Sequence, residues 1–465
     1  MSSSKYAEPY RIKAVEMLKE TTPQERWEAL KAVGWNLYML KAEDIYIDCL
    51  TDSGTSAMSD RQWAALMTGD ESYVGNRCFY DYEQAIRDLT GFEYVIPTHQ
   101  GRAAEQLLAR MYYPNHPKAR YVLANMAFDS TRAAAMSHGA VAVDLLEPIG
   151  YDTTTEAPFK GNMDTAKLEA FIREHDTESI AFVQMIVTCN SNGGQPVSMS
   201  NIRAVAEICK KYGLTYVCDC ARVFENCYFI KEREPGYQDK DIRDISRELF
   251  SYFDLAFMSI KKDGLVNMGG FFVCRSKELY DVAWVDNMSY EGHCTYGGLA
   301  GRDLAAIAVG LYEGSDYRYL KGRIGQVQYL GERLDEFGIP YVRPVGGNGV
   351  YLDARKFYKD IAPEKFPGLC LAADLYLKAG IRTSELGASA FSYKDKDGVI
   401  HYPEIDLVRI AISRRVYTNS HMDVIAESLG ELYHGGSPNF HGFDKETWAD
   451  TATNHFTSAY KPTFK

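Results

Sequence analysis

The chain has 465 residues, 46% hydrophobic and 25% charged, with 51 basic against 63 acidic side chains and a net charge of −12. That composition buries enough apolar surface to offset chain entropy, which excludes general disorder. The acidic balance argues against a large nucleic-acid footprint, because a phosphate backbone calls for a basic face. No apolar run reaches the roughly 18–20 residues that span a bilayer, and the opening MSSSKYAEPYRIK has no apolar signal core. The ten cysteines are scattered without a C-x-x-C pair, as expected of reduced thiols in a cytoplasmic protein.

In chain order, short apolar runs predict strands at Tyr94–Ile96, Tyr121–Ala124, Val141–Leu146, Ile180–Val187, Leu214–Cys218, Leu255–Met258 and Gly270–Cys274. Amphipathic stretches between them predict helices at Ala103–Tyr112, Met163–His175, Asn201–Tyr212 and Asp241–Tyr252. Near-continuously apolar strands alternating with helices imply a mostly parallel sheet covered on both faces, an α/β architecture. Gly213, just past one predicted helix, suits a left-handed C-terminal cap.

Beyond Cys274 the pattern changes to a helical region, Leu299–Phe337, and then to short strands at Tyr341–Arg343, Val350–Asp353, Ile381–Thr383 and Leu407–Ile412. Helices are predicted at Glu364–Lys378 and Met422–Tyr433, giving a smaller α+β domain. The expected division is 1–55 as an arm and part of the small domain, 56–310 as the large domain, and 311–465 as the small one. The tail from His434, rich in Gly, Asn and aromatics, reads as an ordered cap rather than a regular element.

Ligands of parallel α/β sheets bind beyond the carboxyl ends of the strands, and three segments put polar residues there. Thr98-His99-Gln100-Gly101-Arg102 opens a helix, where free N–H groups and the helix dipole favour phosphate. Asp219 ends an apolar strand; a carboxylate there needs a partner, either a protonated ring nitrogen, a metal, or Arg222 three residues on. Lys261 and Lys262 lie between two apolar strands, where burial lowers a lysine pKa and suits Schiff-base chemistry. A phosphate site, a strand-end Asp and a strand-end Lys are the parts of a pyridoxal phosphate site. The P-loop, the spaced G-x-G-x-x-G and the G-x-S-x-G elbow are all missing, which sets NAD enzymes, kinases and such hydrolases well behind.

These segments, with Leu50-Thr51-Asp52-Ser53-Gly54-Thr55, Gly69-Asp70-Glu71-Ser72-Tyr73, Gly193-Gly194-Gln195-Pro196-Val197-Ser198 and Tyr296-Gly297-Gly298-Leu299, resemble the tryptophanase and tyrosine phenol-lyase family of pyridoxal phosphate β-eliminating lyases. The resemblance covers nearly the whole chain. It implies the aminotransferase-like fold (fold type I), with a seven-stranded large domain and a small α+β domain. It also implies pyridoxal 5'-phosphate and a potassium ion as cofactors, and a homotetramer whose sites are shared between subunits.

By position, the resemblance makes Lys262 the cofactor lysine and Lys261 its neighbour. Gln100, Gly101, Arg102 and Ser259 become the phosphate grip, and Phe128 the ring stacked on the cofactor. Asp219 becomes the pyridine partner, with Asn190 and Arg222 beside the phenolic oxygen. Arg409 clamps the substrate carboxylate, with Thr51 and Asn190 as further substrate contacts. Tyr73 becomes a proton donor reaching in from a neighbouring subunit, and Gly54, Glu71 and Asn267 the monovalent-cation site. Asp129, Leu386 and His455 resemble the members acting on tryptophan, since those acting on tyrosine carry a threonine and an arginine at the first two positions. An arginine facing indole would be buried without its partner. His293-Cys294, Asn348 and Ser413 depart from the family pattern, and His293 is either a core histidine or a residue that alters the side-chain pocket.

The expected activity is therefore conversion of L-tryptophan and water to indole, pyruvate and ammonium, with Asp129, His455 and Tyr73 as candidate proton donors. The alternatives are the same reaction on tyrosine or another amino acid with a β leaving group and, more remotely, a non-catalytic binding protein that keeps the cofactor fold.

Overall fold

The computed structural model describes residues 8–394, 397–446 and 454–465. Its strands are β1 (Ile47–Cys49), β2 (Tyr94–Thr98), β3 (Tyr121–Ala124), β4 (Val141–Asp144), β5 (Ile180–Ile186), β6 (Tyr216–Asp219), β7 (Leu255–Ser259) and β8 (Gly270–Cys274). They continue with β9 (Gly349–Asp353), β10 (Ile381–Leu386), β11 (Tyr393–Lys394), β12 (Ile400–His401), β13 (Leu407–Ala411), β14 (Phe440–Lys445) and β15 (Tyr460–Phe464).

The large sheet has seven strands in the order β2-β8-β7-β6-β5-β3-β4. Strands β3 to β7 run parallel, whereas β8 is antiparallel to both β2 and β7. Both faces are covered, which is why β5 is buried along its whole length. Along β7, Ala256 and Met258 pack into one core and Leu255 and Phe257 into another, the alternation that a pleated strand between two layers requires.

Helices fill the connections. Gln100 precedes the helix Gly101–Tyr112. Ser198 caps Met199–Tyr212, which ends at Gly213 with φ 66°, as the sequence suggests. The helix Arg77–Thr90 was not among the predicted elements, although Asn76 caps its start and Gly91 its end. The long helical region is two helices, Gly301–Gly314 and Tyr317–Glu336, with the Asp316 side chain capping the second.

The second sheet has the order β1-β10-β13-β9, so β1 joins it from the far end of the chain, parallel to β10. The predicted strand at Tyr341–Arg343 is reduced to one bridge between Tyr341 and Leu352. Pro340 and Pro344 bracket it, and proline donates nothing to a ladder. The tail also departs from expectation. It pairs β14 with β15 as an antiparallel hairpin, packing Phe440 and Phe464 against Trp35. Among the described residues no helix is long and apolar enough to cross a membrane.

Candidate active site

The carboxyl ends of β6 and β7 and the polar ends of the small sheet enclose a cavity of about 310 Å³. At one end stands the N-terminus of the helix Gly101–Tyr112, with Gln100, Gly101, Arg102 and Ser259 on the cavity wall. A Cβ on residue 101 would lie 2.6 Å from the Ser259 Cβ and 2.8 Å from its backbone N. Only glycine lets the helix start approach β7 this closely, and its free N–H groups form a ready anion site.

Asp219 ends β6 and accepts the Ala221 N–H at 3.3 Å. Burial raises its pKa, and Lys262, the Ala221 N–H and Arg222 oppose that rise. Of the alternative partners for Asp219, Arg222 is not the one taken up; it gives Nε and Nη2 to Asp52 at 3.0 and 2.7 Å. Burial pushes the Lys262 amine down to about 7, helped by the Arg222 charge and resisted by Asp52 and Asp219. Lys261 is half-buried, and burial together with Arg102 lowers its pKa too.

Across the cavity, Arg409 on β13 is held by Ser384 Oγ at 3.0 Å and by the Leu50 carbonyl at 2.7 Å; Thr51 follows Leu50 onto the wall. Arg409 Nη1 also reaches Asn190 Oδ1 at 3.3 Å. The other amide atom, Asn190 Nδ2, is buried with no hydrogen-bond partner among the described residues.

The distal end is formed by Phe128, Asp129, Leu386 and His455. Asp129 Oδ2 lies 3.9 Å from His455 Nε2. Burial raises the Asp129 pKa, and burial with the charges of Lys445 and Arg409 lowers that of His455 to about 4. Both groups are thus driven toward their neutral forms.

Five of the sequence-derived residues stand outside this cavity. Tyr73 is 54% exposed, and its hydroxyl accepts the His293 N–H at 3.0 Å. His293 itself is half-buried and bonds Thr295 Oγ1 at 2.9 Å through Nδ1, and it does not line the cavity of its own chain. Asn267 Nδ2 donates to the Gly54 carbonyl at 2.8 Å, whereas Glu71 pairs with Arg302 at 3.1 Å.

Glu105, Tyr38 and Phe456 also line the cavity and escaped the sequence reading. Glu105 receives the Thr131 hydroxyl at 2.5 Å, and burial with the charge of Asp219 lifts its pKa to about 7. Its signal was available: an acidic side chain on the buried stripe formed by Ala104, Leu107, Leu108 and Met111. The whole set fits pyridoxal 5'-phosphate: a helix terminus for the phosphate, a buried carboxyl for the ring nitrogen, a near-neutral amine, and an unpaired amide N–H group.

The fold is that of the pyridoxal phosphate-dependent enzymes of fold type I. Serine palmitoyltransferase from S. paucimobilis superposes with a TM-score of 0.55 at 12% identity, over 84% of this chain and 88% of that one. Residues 48–428 match the beta-eliminating lyase family, and the chain belongs to it. Among its relatives, the tyrosine phenol-lyase of Symbiobacterium sp. (strain SC-1) is 48% identical, covering 92% of this chain and 93% of the relative. The tyrosine phenol-lyase of Clostridium tetani (strain Massachusetts / E88) is also 48% identical, covering 93% and 94%.

Proposed function

We propose that this chain is a pyridoxal phosphate-dependent lyase that removes the aromatic β-substituent of an L-amino acid, leaving pyruvate and ammonium. The observation that carries this is Lys262, a buried amine pushed down to about 7 beside Asp219, facing Arg409 across one cavity. The bound cofactor supplies an electron sink for the pair left at the substrate α-carbon. Gln100, Gly101, Arg102 and Ser259 hold its phosphate, and Asp219 keeps its ring nitrogen protonated. Arg409, fixed by Ser384 and Leu50, grips the substrate carboxylate. Lys262 Nζ, near neutral, takes the α-proton. Asp129, driven by burial toward its protonated form, delivers a proton to the aromatic carbon that leaves, with neutral His455 beside it.

On names alone, tyrosine is better supported than tryptophan as the substrate, because the relatives above are tyrosine phenol-lyases. The distal wall favours tryptophan. Leu386 is an aliphatic surface for the benzo ring and offers nothing to a phenol hydroxyl, while Asp129 Oδ1 and His455 Nδ1 are buried without partners among the described residues and suit an indole N–H. We take L-tryptophan as the preferred substrate and L-tyrosine as the second reading.

Assembly is part of the same proposal. Tyr73, exposed in the single chain, acts on a neighbour's site within a homotetramer, and Gly54, Glu71 and Asn267 take a potassium ion once subunits meet. The experiment is to supply the purified protein with pyridoxal phosphate and potassium, offer each amino acid separately, and measure pyruvate, indole and phenol. Indole exceeding phenol supports tryptophan; phenol exceeding indole supports tyrosine; pyruvate from neither, or pyruvate undiminished in Lys262→Ala, refutes the reading.

A further inference from the structure

We infer that Tyr351 is a positioning residue, whose hydroxyl, together with the Asn348 amide, holds the Asn190 side chain with its NH₂ group turned into the cavity. This rests on the proposal that the cavity binds pyridoxal phosphate.

Tyr351 lies on β9 directly opposite Arg409 on β13, so the two side chains leave the same face of the small sheet. Both point toward Asn190, which lies on the large domain beyond β5. Tyr351, Asn348 and Asn190 are all buried.

Three donors converge on one oxygen. Tyr351 Oη lies 2.8 Å from Asn190 Oδ1, Asn348 Nδ2 lies 3.3 Å from it, and Arg409 Nη1 lies 3.3 Å from it. Turning the Asn190 amide over would set its NH₂ against the NH₂ of Asn348 and the guanidinium of Arg409, two groups that only donate. The amide therefore has one acceptable orientation. Its two N–H bonds then face the cavity, where Asn190 Nδ2, like Thr188 Oγ1, is buried with no hydrogen-bond partner among the described residues. The Tyr351 contact is the shortest of the three, so the single hydroxyl proton goes to Asn190 Oδ1 rather than to Asn348 Oδ1, which lies 3.1 Å away. Asn348 is itself fixed, because its backbone carbonyl accepts Arg323 Nη2 at 3.1 Å and the Ile412 N–H at 3.0 Å. A donor aimed in this way costs no reorganisation when an oxygen of the ligand arrives.

The two domains are joined at this point. The aim of an amide on the large domain is set by a hydroxyl on the small one, so Tyr351 acts on the ligand only through Asn190.

The test is a double-mutant cycle on the purified protein, stripped of cofactor and titrated with pyridoxal phosphate by fluorescence quenching, with Tyr351→Phe, Asn190→Ala and both together. The pH titration of the bound cofactor's absorbance is recorded in parallel. Tyr351→Phe is expected to weaken pyridoxal phosphate between about 2-fold and 13-fold, the range for one hydrogen bond, and to shift the absorbance titration. In the Asn190→Ala background the same change is expected to cost nothing, because its only route to the ligand is gone. Asn348→Ala provides a second variant and is expected to lose affinity in the same direction, again only while Asn190 is present. Affinity and absorbance unchanged in Tyr351→Phe overturn the inference alone, as does an equal loss with and without Asn190. A parent protein that takes up no pyridoxal phosphate overturns the proposed function beneath it.

Discussion

Arg414 and Asp52 meet at 2.9 Å with both side chains fully withdrawn from solvent. The same guanidinium reaches Glu225 at 2.6 Å and Asp263 at 3.1 Å, while Asp52 also holds Arg222 of the cavity and Glu225 also holds Arg323. Three arginines and three acids thus meet in the core directly behind Lys262, where burial and the charge of Glu225 lift the Asp263 pKa to about 7, and the network fixes both Arg222 and the backbone next to the lysine.

Removing one charge leaves the others uncompensated. Arg414→Ala is expected to destabilise the protein by about 3–5 kcal/mol, the cost of breaking a buried pair from one side. Urea denaturation of the purified variant checks this. A midpoint within error of the parent would show that the acids find other partners or take up protons.

Cofactor-free protein is expected to gain stability as pH rises from about 7 toward 10.5. Those are the folded and ordinary values of the Lys262 amine, and between them the unfolded chain holds the extra proton. Below about 7 both states are protonated at this group and the gain is absent. Urea midpoints at pH 7 and 9.5 for the parent and Lys262→Met isolate the effect. An equal rise in both proteins would assign it to other groups.

Gly101→Ala places a methyl 2.6 Å from the Ser259 Cβ and 2.8 Å from its Cα. The helix start must retreat from β7, and overpacking of this kind costs about 1–3 kcal/mol. Pyridoxal phosphate affinity is expected to fall about tenfold or more by equilibrium titration, because the N–H groups that receive the phosphate move with the helix.

Leu386→Arg puts a guanidinium into the distal wall at the end of β10. Indole release from L-tryptophan is expected to fall between about 5-fold and 160-fold, since a buried donor without a partner costs about 1–3 kcal/mol. Phenol release from L-tyrosine is expected to rise relative to it. Chromatography of the products gives the ratio, and an unchanged ratio would remove Leu386 from substrate discrimination.

How far the chain itself discloses this site depends on the range of each interaction. Asp219 and Lys262 were legible because a charged residue closing an apolar strand is expensive without a partner, and the alternation of strands and helices places both at one sheet edge. Gly101 and Gly213 were legible because helix ends follow local backbone rules. The Asp219–Arg222 pair suggested by spacing did not form, because a carboxylate from Asp52, 170 residues away in sequence, offered a better-aligned buried partner. His293 read as a pocket or core residue; its loop folds onto Tyr73, a contact no local pattern announces, and neither residue lines the cavity of its own chain. Tyr351 carried no local signal at all; its contact with Asn190 exists only because β9 and β13 set it opposite Arg409 and against the loop that follows β5. The sequence by itself determined the alternating architecture and the chemistry at the strand ends, since both follow from periodicity and the cost of burying charge. Tertiary structure alone decided which charges pair and which way an amide faces, because those choices are made between side chains that only the packed domains bring together.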